Sequence, residues 1–257
     1  MSHTADRSTT LAALHDSGDV LVLPTVWDVW SAQVAVQAGF RALTVGSHPV
    51  ADSLGSADGE NMDFAEYLRV VSRITGAVEV PVSADVESGY GLDPKELIEQ
   101  LLEAGAAGAN IEDVVHSEGK RVRDRQEHAD YIAAARSAAD AAGVPLVLNG
   151  RTDAVKLGTD VFPDPLAEAV ERIKLMEGAG ARAVYPVGLT TAEQVTELVR
   201  AVSVPVNVTA HPVEGHGAGS LSALSELGAR RITFGPLWQK WLADVSATQL
   251  AEWVAPE

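Results

Sequence analysis

The sequence predicts a (β/α)8 barrel, and three observations carry that prediction. Short apolar runs, suited to strands buried on both faces, alternate with longer Ala-, Leu- and Glu-rich stretches from one end of the chain to the other. About eight such units follow one another at roughly 30-residue spacing, which suits a closed barrel better than an open doubly wound sheet. No Pro/Ser linker or low-complexity block interrupts them, so the 257 residues read as one domain, with a polar leader over 1–19 and a helical tail over 237–257.

The strand candidates are Val20–Pro24, Ala42–Gly46, Val80–Asp85, Ala109–Glu112, Leu146–Asn149, Ala183–Pro186, Val206–Thr209 and Ile232–Phe234. Between them the helical pattern covers Trp30–Ala38, Phe64–Thr75, Pro94–Ala104, Gln126–Ala141, Pro165–Ala179, Thr191–Ala201 and Leu221–Leu227, several opening on Pro or a capping Asp or Thr. A phrase recurs where helices close: Ala38-Gly39-Phe40, Ala104-Gly105-Ala106, Ala142-Gly143-Val144, Ala179-Gly180-Ala181 and Leu227-Gly228-Ala229. Its glycine serves as a left-handed cap that turns each helix into the next strand. The tail carries two helix-like stretches with Trp238, Trp241 and Trp253, three of the five tryptophans. It reads either as an eighth helix plus a terminal helix on the barrel, or as an apolar surface for a neighbouring subunit.

Composition excludes several classes. A chain with 46% hydrophobic and 21% charged residues is an ordinary globular protein, and zero Cys removes disulfides, thiolate nucleophiles and Cys-ligated zinc together. The leader lacks an apolar signal core, and no stretch approaches the ~20 apolar residues of a membrane span. A cytoplasmic protein with a partly disordered leader is expected. With 19 basic and 36 acidic residues the net charge is −17, so nucleic acid and anionic membranes are not expected partners. An anionic substrate must be collected locally, by a metal ion or by a few placed Arg and Lys residues.

In a barrel of this kind the chemistry gathers at the C-terminal ends of the strands. Trp27-Asp28 follow the first strand, Gly46-Ser47-His48 the second, Asp85 to Gly91 the third and Glu112-Asp113 the fourth. Then come Asn149 to Asp153, Tyr185, and Asn207 to His211. Asp85, Glu87 and Glu112 bring acidic groups onto adjacent strand ends, and a divalent cation would resolve their repulsion. Oxygen-only ligands favour Mg2+, with Mn2+ as the alternative, over zinc. The same acids could instead cap helices or face solvent separately, as Asp93 before Pro94 does. Arg151, after the apolar run Leu146–Leu148, reads as a bidentate clamp on a substrate anion or as an ion-pair partner of Asp153 or Glu112. Asn207 and Thr209 alternate on one strand face and could bind the same anion. The histidines His48, His116 and His211 match no metal motif. Of them, His116 stands out, because it lies in the polar loop Val114–Asp124, a segment suited to closing over a substrate.

No Gly-x-Gly-x-x-Gly fingerprint, Walker-type Gly-Lys-Ser/Thr or Gly-x-Ser-x-Gly elbow is present, which argues against hydride transfer, nucleotide hydrolysis and serine hydrolysis.

Several motifs together resemble the phosphoenolpyruvate mutase/isocitrate lyase superfamily, over roughly Leu21 to Trp238. They are Trp27-Asp28 with Ser31-Ala32, Ser53-Leu54-Gly55 with Asp58-Gly59-Glu60, Asp85-Val86-Glu87-Ser88-Gly89-Tyr90-Gly91, Asn110-Ile111-Glu112-Asp113, and Gly150-Arg151-Thr152-Asp153-Ala154. The resemblance implies a Mg2+-dependent barrel acting on a 2-oxo or 2-hydroxy carboxylate, with the metal stabilising an enolate-like oxyanion. It implies Asp85 as the main metal ligand, with Asp58, Glu87 and Glu112 holding the ion directly or through water. Gly46 and Ser47 would contact the substrate carboxylate, Arg151 would clamp it, and Trp27, Asp28, Asn207 and Thr209 complete the expected substrate-binding set. It also implies a homotetramer whose C-terminal helices are exchanged between neighbours.

Two departures bear on the chemistry. The lyases of this superfamily carry a Cys in the loop after the fourth strand, and this chain has none. The phosphonomutases carry a longer loop with Lys and Asn, whereas here Lys120 and Arg121 stand in a shorter one and no Asn falls between Glu112 and Asn149. Asn207-Val208-Thr209 looks more like the lyase branch. The expected activity is therefore C–C cleavage or decarboxylation of a small di- or tricarboxylic acid, with the proton supplied by solvent, Tyr185 or His116. Phosphonomutase or phosphonopyruvate hydrolase chemistry is the alternative, and a carboxylate-binding relative without turnover is a third reading.

Overall fold

The computed structural model describes residues 2–254. Eight parallel strands close a barrel. The first is split at Pro24 into Leu21–Leu23 and Thr25–Val26, because proline has no amide hydrogen to give to the ladder. Six strands then run in spatial order: Thr25–Val26, Leu43–Val45, Val82–Asp85, Gly108–Ile111, Val147–Thr152 and Ala183–Pro186. Leu21–Leu23, Arg231–Thr233 and Asn207–Thr209 form the remaining arc. The bridge between Val184 and Val206 joins the two arcs.

The strands form where the sequence predicts them, within a residue or two, except that the fifth runs on to Thr152 and so carries Arg151. All five predicted closing glycines (39, 105, 143, 180 and 228) have φ between 70° and 95°. That left-handed geometry lets the chain leave the helix and enter the next strand. Asp28, Asp124 and Thr191 close capping boxes on their helices.

The apolar core lies between the strands and the surrounding helices, with Val71, Ile74, Leu97, Ile98, Leu101, Ile132, Leu146 and Ile173 fully buried. The lumen is polar. Successive inward residues from paired strands share layers: Asp85 lies opposite Asn110, Asn110 opposite Asn149, and Arg151 opposite Tyr185. Low in the lumen Arg231, without any exposed surface, donates to Asn207 Oδ1 at 2.9 Å and to His15 Nε2 at 2.8 Å. Burial lowers the Arg231 guanidinium to about 10 and, aided by Arg231, lowers His15 to about 3, so the imidazole is a neutral acceptor.

Three elements differ from expectation. The leader, expected to be partly disordered, is a helix over Ser2–Asp16 whose Leu11 is fully buried against Leu21, Leu23, Ala107 and Val147 at the barrel floor. Its pattern reads as polar because only a narrow stripe is apolar. A further helix, Ser47–Leu54, follows the second strand. The tail holds one helix, Leu237–Ala251, rather than two. It has no fully buried residue, while Val245, Leu250 and Trp253 are exposed. No helix among the described residues is long and apolar enough to cross a membrane.

Candidate active site

A cavity of about 290 Å³ opens at the C-terminal ends of the strands. Thr25, Thr44, Gly46, Ser47, Asp58, Asp85, Asn110, Arg151, Lys156, Tyr185, Thr209 and Thr233 are among its walls. Gly46 is required by packing: a Cβ there would lie 2.6 Å from Thr25 Cγ2 and 2.8 Å from Pro49 Cγ, so the chain enters the helix Ser47–Leu54 with Ser47 at the cavity wall.

Arg151 is the hub. Its Nη1 lies 2.7 Å from Glu112 Oε2 and 3.6 Å from Asp85 Oδ2, and its Nε donates to Asp153 Oδ1 at 2.8 Å. The ion pairs expected with Asp153 and Glu112 are both present, and Arg151 also lines the cavity. Asp153 is positioned by its own amide donating to Asp113 Oδ1 at 3.0 Å, and Asp113 is clamped by Arg172.

Burial pushes Asp85 up to about 7, against the pull of Arg151 and with Glu112 and Asp58 adding to the rise. Burial likewise lifts Glu87 to about 7, although the Tyr90 hydroxyl donates to it at 2.7 Å. Asp85, Glu112 and Asp153 crowd around one guanidinium, while Glu87 stands apart from it, on Tyr90 and Glu60.

The loop after the third strand is strained where it turns. Glu87 and Tyr90 adopt φ of 50° and 54°, costing of order 1–3 kcal/mol each. Glu60, itself at φ 57°, offsets this by donating its amide to Glu87 Oε2 at 2.6 Å and accepting from the Tyr90 amide at 2.8 Å and from Ser88 Oγ. Glu60 Oε2 also accepts the Ser117 amide at 3.1 Å, so one residue ties three loops together. The sequence signal for Glu60 is present in Asp58-Gly59-Glu60, but a carboxylate used by backbone amides reads no differently from a solvated one.

The loop Val114–Asp124 is a small hairpin, Val114–Val115 against Arg121–Val122, with a single helical turn His116–Glu118 between. It brings His116 Nε2 to 2.7 Å from Glu112 Oε1 and 4.0 Å from Glu87 Oε2. That hydrogen bond to Glu112 raises the imidazole above its ordinary value, with burial opposing. Glu87, Glu112 and His116 offer ligand atoms within 4.8 Å of one another. The histidine set aside as a ligand therefore stands in the acid cluster. Spacing along the chain hid this, because the fold rather than the motif closes the distance. Of the other expected ligands, Asp85 faces Arg151, and Asp58 pairs with His48 Nδ1 at 3.1 Å.

Three expected substrate contacts are placed elsewhere. Asp28 caps the helix Val29–Gln37 through the Ser31 amide, and Trp27 packs edge-on against Trp238 at 5.1 Å. Asn207 is fully buried, accepting from Arg231 and donating to Thr233 Oγ1 at 3.0 Å, so its amide belongs to the lumen network below the cavity. Thr209, two residues on, does reach the cavity and shares a hydrogen bond with the Tyr185 hydroxyl. Lys156, a wall residue carried by the short helix Ala154–Leu157, was not among the sequence candidates.

The chain is similar to known proteins along most of its length. A 2-methylisocitrate lyase of Aeropyrum pernix is 32% identical over 204 residues, 76% of this chain; the aligned part is 63% of that protein's length. An oxaloacetate decarboxylase of Rhodopseudomonas palustris is 31% identical over 88% of this chain and 77% of its own. The crystal structure of a 2,3-dimethylmalate lyase, a PEP mutase/isocitrate lyase superfamily member, superposes with TM-score 0.82 and 26% identity, covering 96% of this chain and 87% of that one. The phosphoenolpyruvate phosphomutase family model matches residues 11–253, and the chain belongs to that family, within the PEP mutase/isocitrate lyase superfamily.

Proposed function

We propose that the protein is a Mg2+-dependent lyase that cleaves a C–C bond of, or decarboxylates, a small 2-oxo or 2-hydroxy di- or tricarboxylic acid. The observation that carries this reading is the gathering of buried carboxylates at the strand ends, where Asp85 and Glu112 pair with the cavity residue Arg151 and Glu87 stands with Glu112 at His116. Asp85, Glu87, Glu112 and Asp58 would hold Mg2+ or Mn2+, with His116 beside them. The donor set fits a hard divalent cation: it is almost all oxygen, and its buried carboxylates exceed the positive charge that faces them. When bound, such an ion supplies Lewis-acid polarisation of the substrate oxygen next to the carboxylate.

The chain's own residues supply the rest. Arg151 binds the substrate carboxylate as a fork, and Ser47 donates its hydroxyl to the same group. Bond cleavage leaves an electron pair on the substrate's carbon, which a proton must meet. Tyr185 donates that proton from its hydroxyl, which burial keeps neutral and Thr209 orients. His116 holds a proton between its Nε2 and Glu112 Oε1 and fixes that carboxylate.

The test is a 1H and 31P NMR screen with Mg2+, with and without EDTA, against isocitrate, 2-methylisocitrate, dimethylmalate, oxaloacetate and phosphonopyruvate. Loss of a diacid signal that EDTA abolishes supports the lyase reading. Turnover of phosphonopyruvate alone replaces it with P–C chemistry. Silence across the panel, with Mg2+-dependent thermal shifts, leaves carboxylate binding without turnover.

We propose also that the helix Leu237–Ala251 docks on a second copy, as part of a homotetramer. Within one chain this helix stays largely unburied, while an apolar groove of about 470 Å³ lined by Val22, Phe40, Leu224, Ile232 and Phe234 lies open beside the first and eighth strands.

A further inference from the structure

The cavity contains a second cation that the reaction as proposed leaves unused. Arg151 holds Glu112, Asp85 and Asp153 and has only part of its guanidinium left for a substrate. Lys156 differs. Its Nζ makes one contact, 2.8 Å to Asp153 Oδ2, and its side chain is 54% exposed, so two of the ammonium's three donors remain for a ligand.

The ammonium is also held in place. Asp153 is nearly fully buried, takes Arg151 Nε on Oδ1 at 2.8 Å, shares Oδ2 between Arg151 Nη2 at 3.1 Å and Lys156 Nζ at 2.8 Å, and is fixed through Asp113. The backbone of Gly188 closes against the lysine, since a Cβ there would lie 2.9 Å from Lys156 Cα. A tethered cation costs little entropy to engage. The two cations share Asp153 Oδ2, so Arg151 Nη2 and Lys156 Nζ stand two hydrogen bonds apart, a span that the two acid groups of a short-chain diacid can bridge. A monoanion would use Arg151 alone, and in a chain of net charge −17 a second anionic group needs a local partner.

We propose that Lys156 is the specificity-determining residue that receives the substrate's second anionic group, carboxylate or phosphonate, while Arg151 holds the first. This rests on the reading of the cavity as a site for 2-oxo or 2-hydroxy acids.

Calorimetric titration of the Mg2+-loaded protein with malate, 3-phosphonolactate and lactate tests it, because lactate lacks only the second acid group. Lys156→Met is expected to weaken malate about tenfold, the size of one charge-assisted hydrogen bond at a partly exposed site, and to leave lactate unchanged. Lys156→Arg is expected to keep the preference for malate over lactate. A loss confined to 3-phosphonolactate also supports the proposal and assigns the second anion as a phosphonate. Equal weakening of lactate and malate overturns it, because Lys156 would then act only through Asp153 on Arg151. Unchanged malate and 3-phosphonolactate binding in Lys156→Met overturns it while leaving the acid site standing. Failure of the wild type to bind any of the three acids removes both readings.

Discussion

Glu87→Gln in the metal-free protein isolates the electrostatic cost of the acid cluster. Glu87 is buried, and its carboxyl is pushed up to about 7 from 4.5 by that burial. A group whose folded value is raised contributes stability that is present at low pH and is lost as pH rises through the folded value. With a folded value of about 7, the linkage relation gives about 1.4 kcal/mol at pH 6 and under about 0.1 kcal/mol at pH 8. Gln cannot ionise, so the variant keeps what the wild type loses. It should match the wild type near pH 6, apart from a constant offset, and gain about 1.4 kcal/mol on it by pH 8. At about 2–4 °C per kcal/mol for a chain of this size, that is a relative Tm gain of about 3–6 °C. His15 and His128, both lowered to about 3 by burial, contribute with the opposite sign near pH 6, and they cancel in the difference between the two proteins. Thermal unfolding in EDTA between pH 6 and 8 is the assay. A Tm difference independent of pH, or a wild type that gains on the variant as pH rises, would refute the reasoning.

Arg151→Met leaves Glu112, Asp85 and Asp153 facing one another, so urea unfolding in EDTA should show a loss of about 3–5 kcal/mol, with Mg2+ recovering part of it. Leu11→Ala opens a cavity at the barrel floor and should cost about 2–5 kcal/mol by the same measurement; a smaller effect would mean the N-terminal helix does not seal the barrel. Tyr185→Phe should keep substrate affinity and lower turnover by about 10²-fold or more in steady-state kinetics, and unchanged turnover removes Tyr185 as the proton donor. A chain ending at Gly235 should sediment as a smaller species than the full chain, and an unchanged assembly state rules out exchange of the C-terminal helix.

Much of the barrel was readable because its signals are local. Period, capping residues and the closing glycines each act within a few residues, so the eight strands and most helices could be placed without knowing what they touch. The N-terminal helix escaped notice because its stability comes from one buried leucine stripe and from the His15–Arg231 contact, whose partners are 216 residues apart. At the site, Asp85, Glu112, Arg151, Tyr185 and Ser47 could be named because strand ends in a barrel converge whatever the loops do. The misplaced residues share one cause. Trp27, Asp28 and Asn207 sit at the right chain positions, but whether a side chain points to the mouth, a helix terminus or the lumen depends on register and on which neighbour claims it first.

Sequence alone therefore determined the fold class, the acid-rich strand ends and the place of Arg151 among them, since each follows from residue type at a fixed place in a repeating unit. Tertiary structure decided the rest: that His116 joins Glu87 and Glu112, that Glu60 ties three loops, that Arg231 holds a polar lumen and that Lys156 reaches the cavity. Those facts depend on distances between groups far apart in the chain, and such distances are set only when the barrel closes and burial makes each charge find its partner.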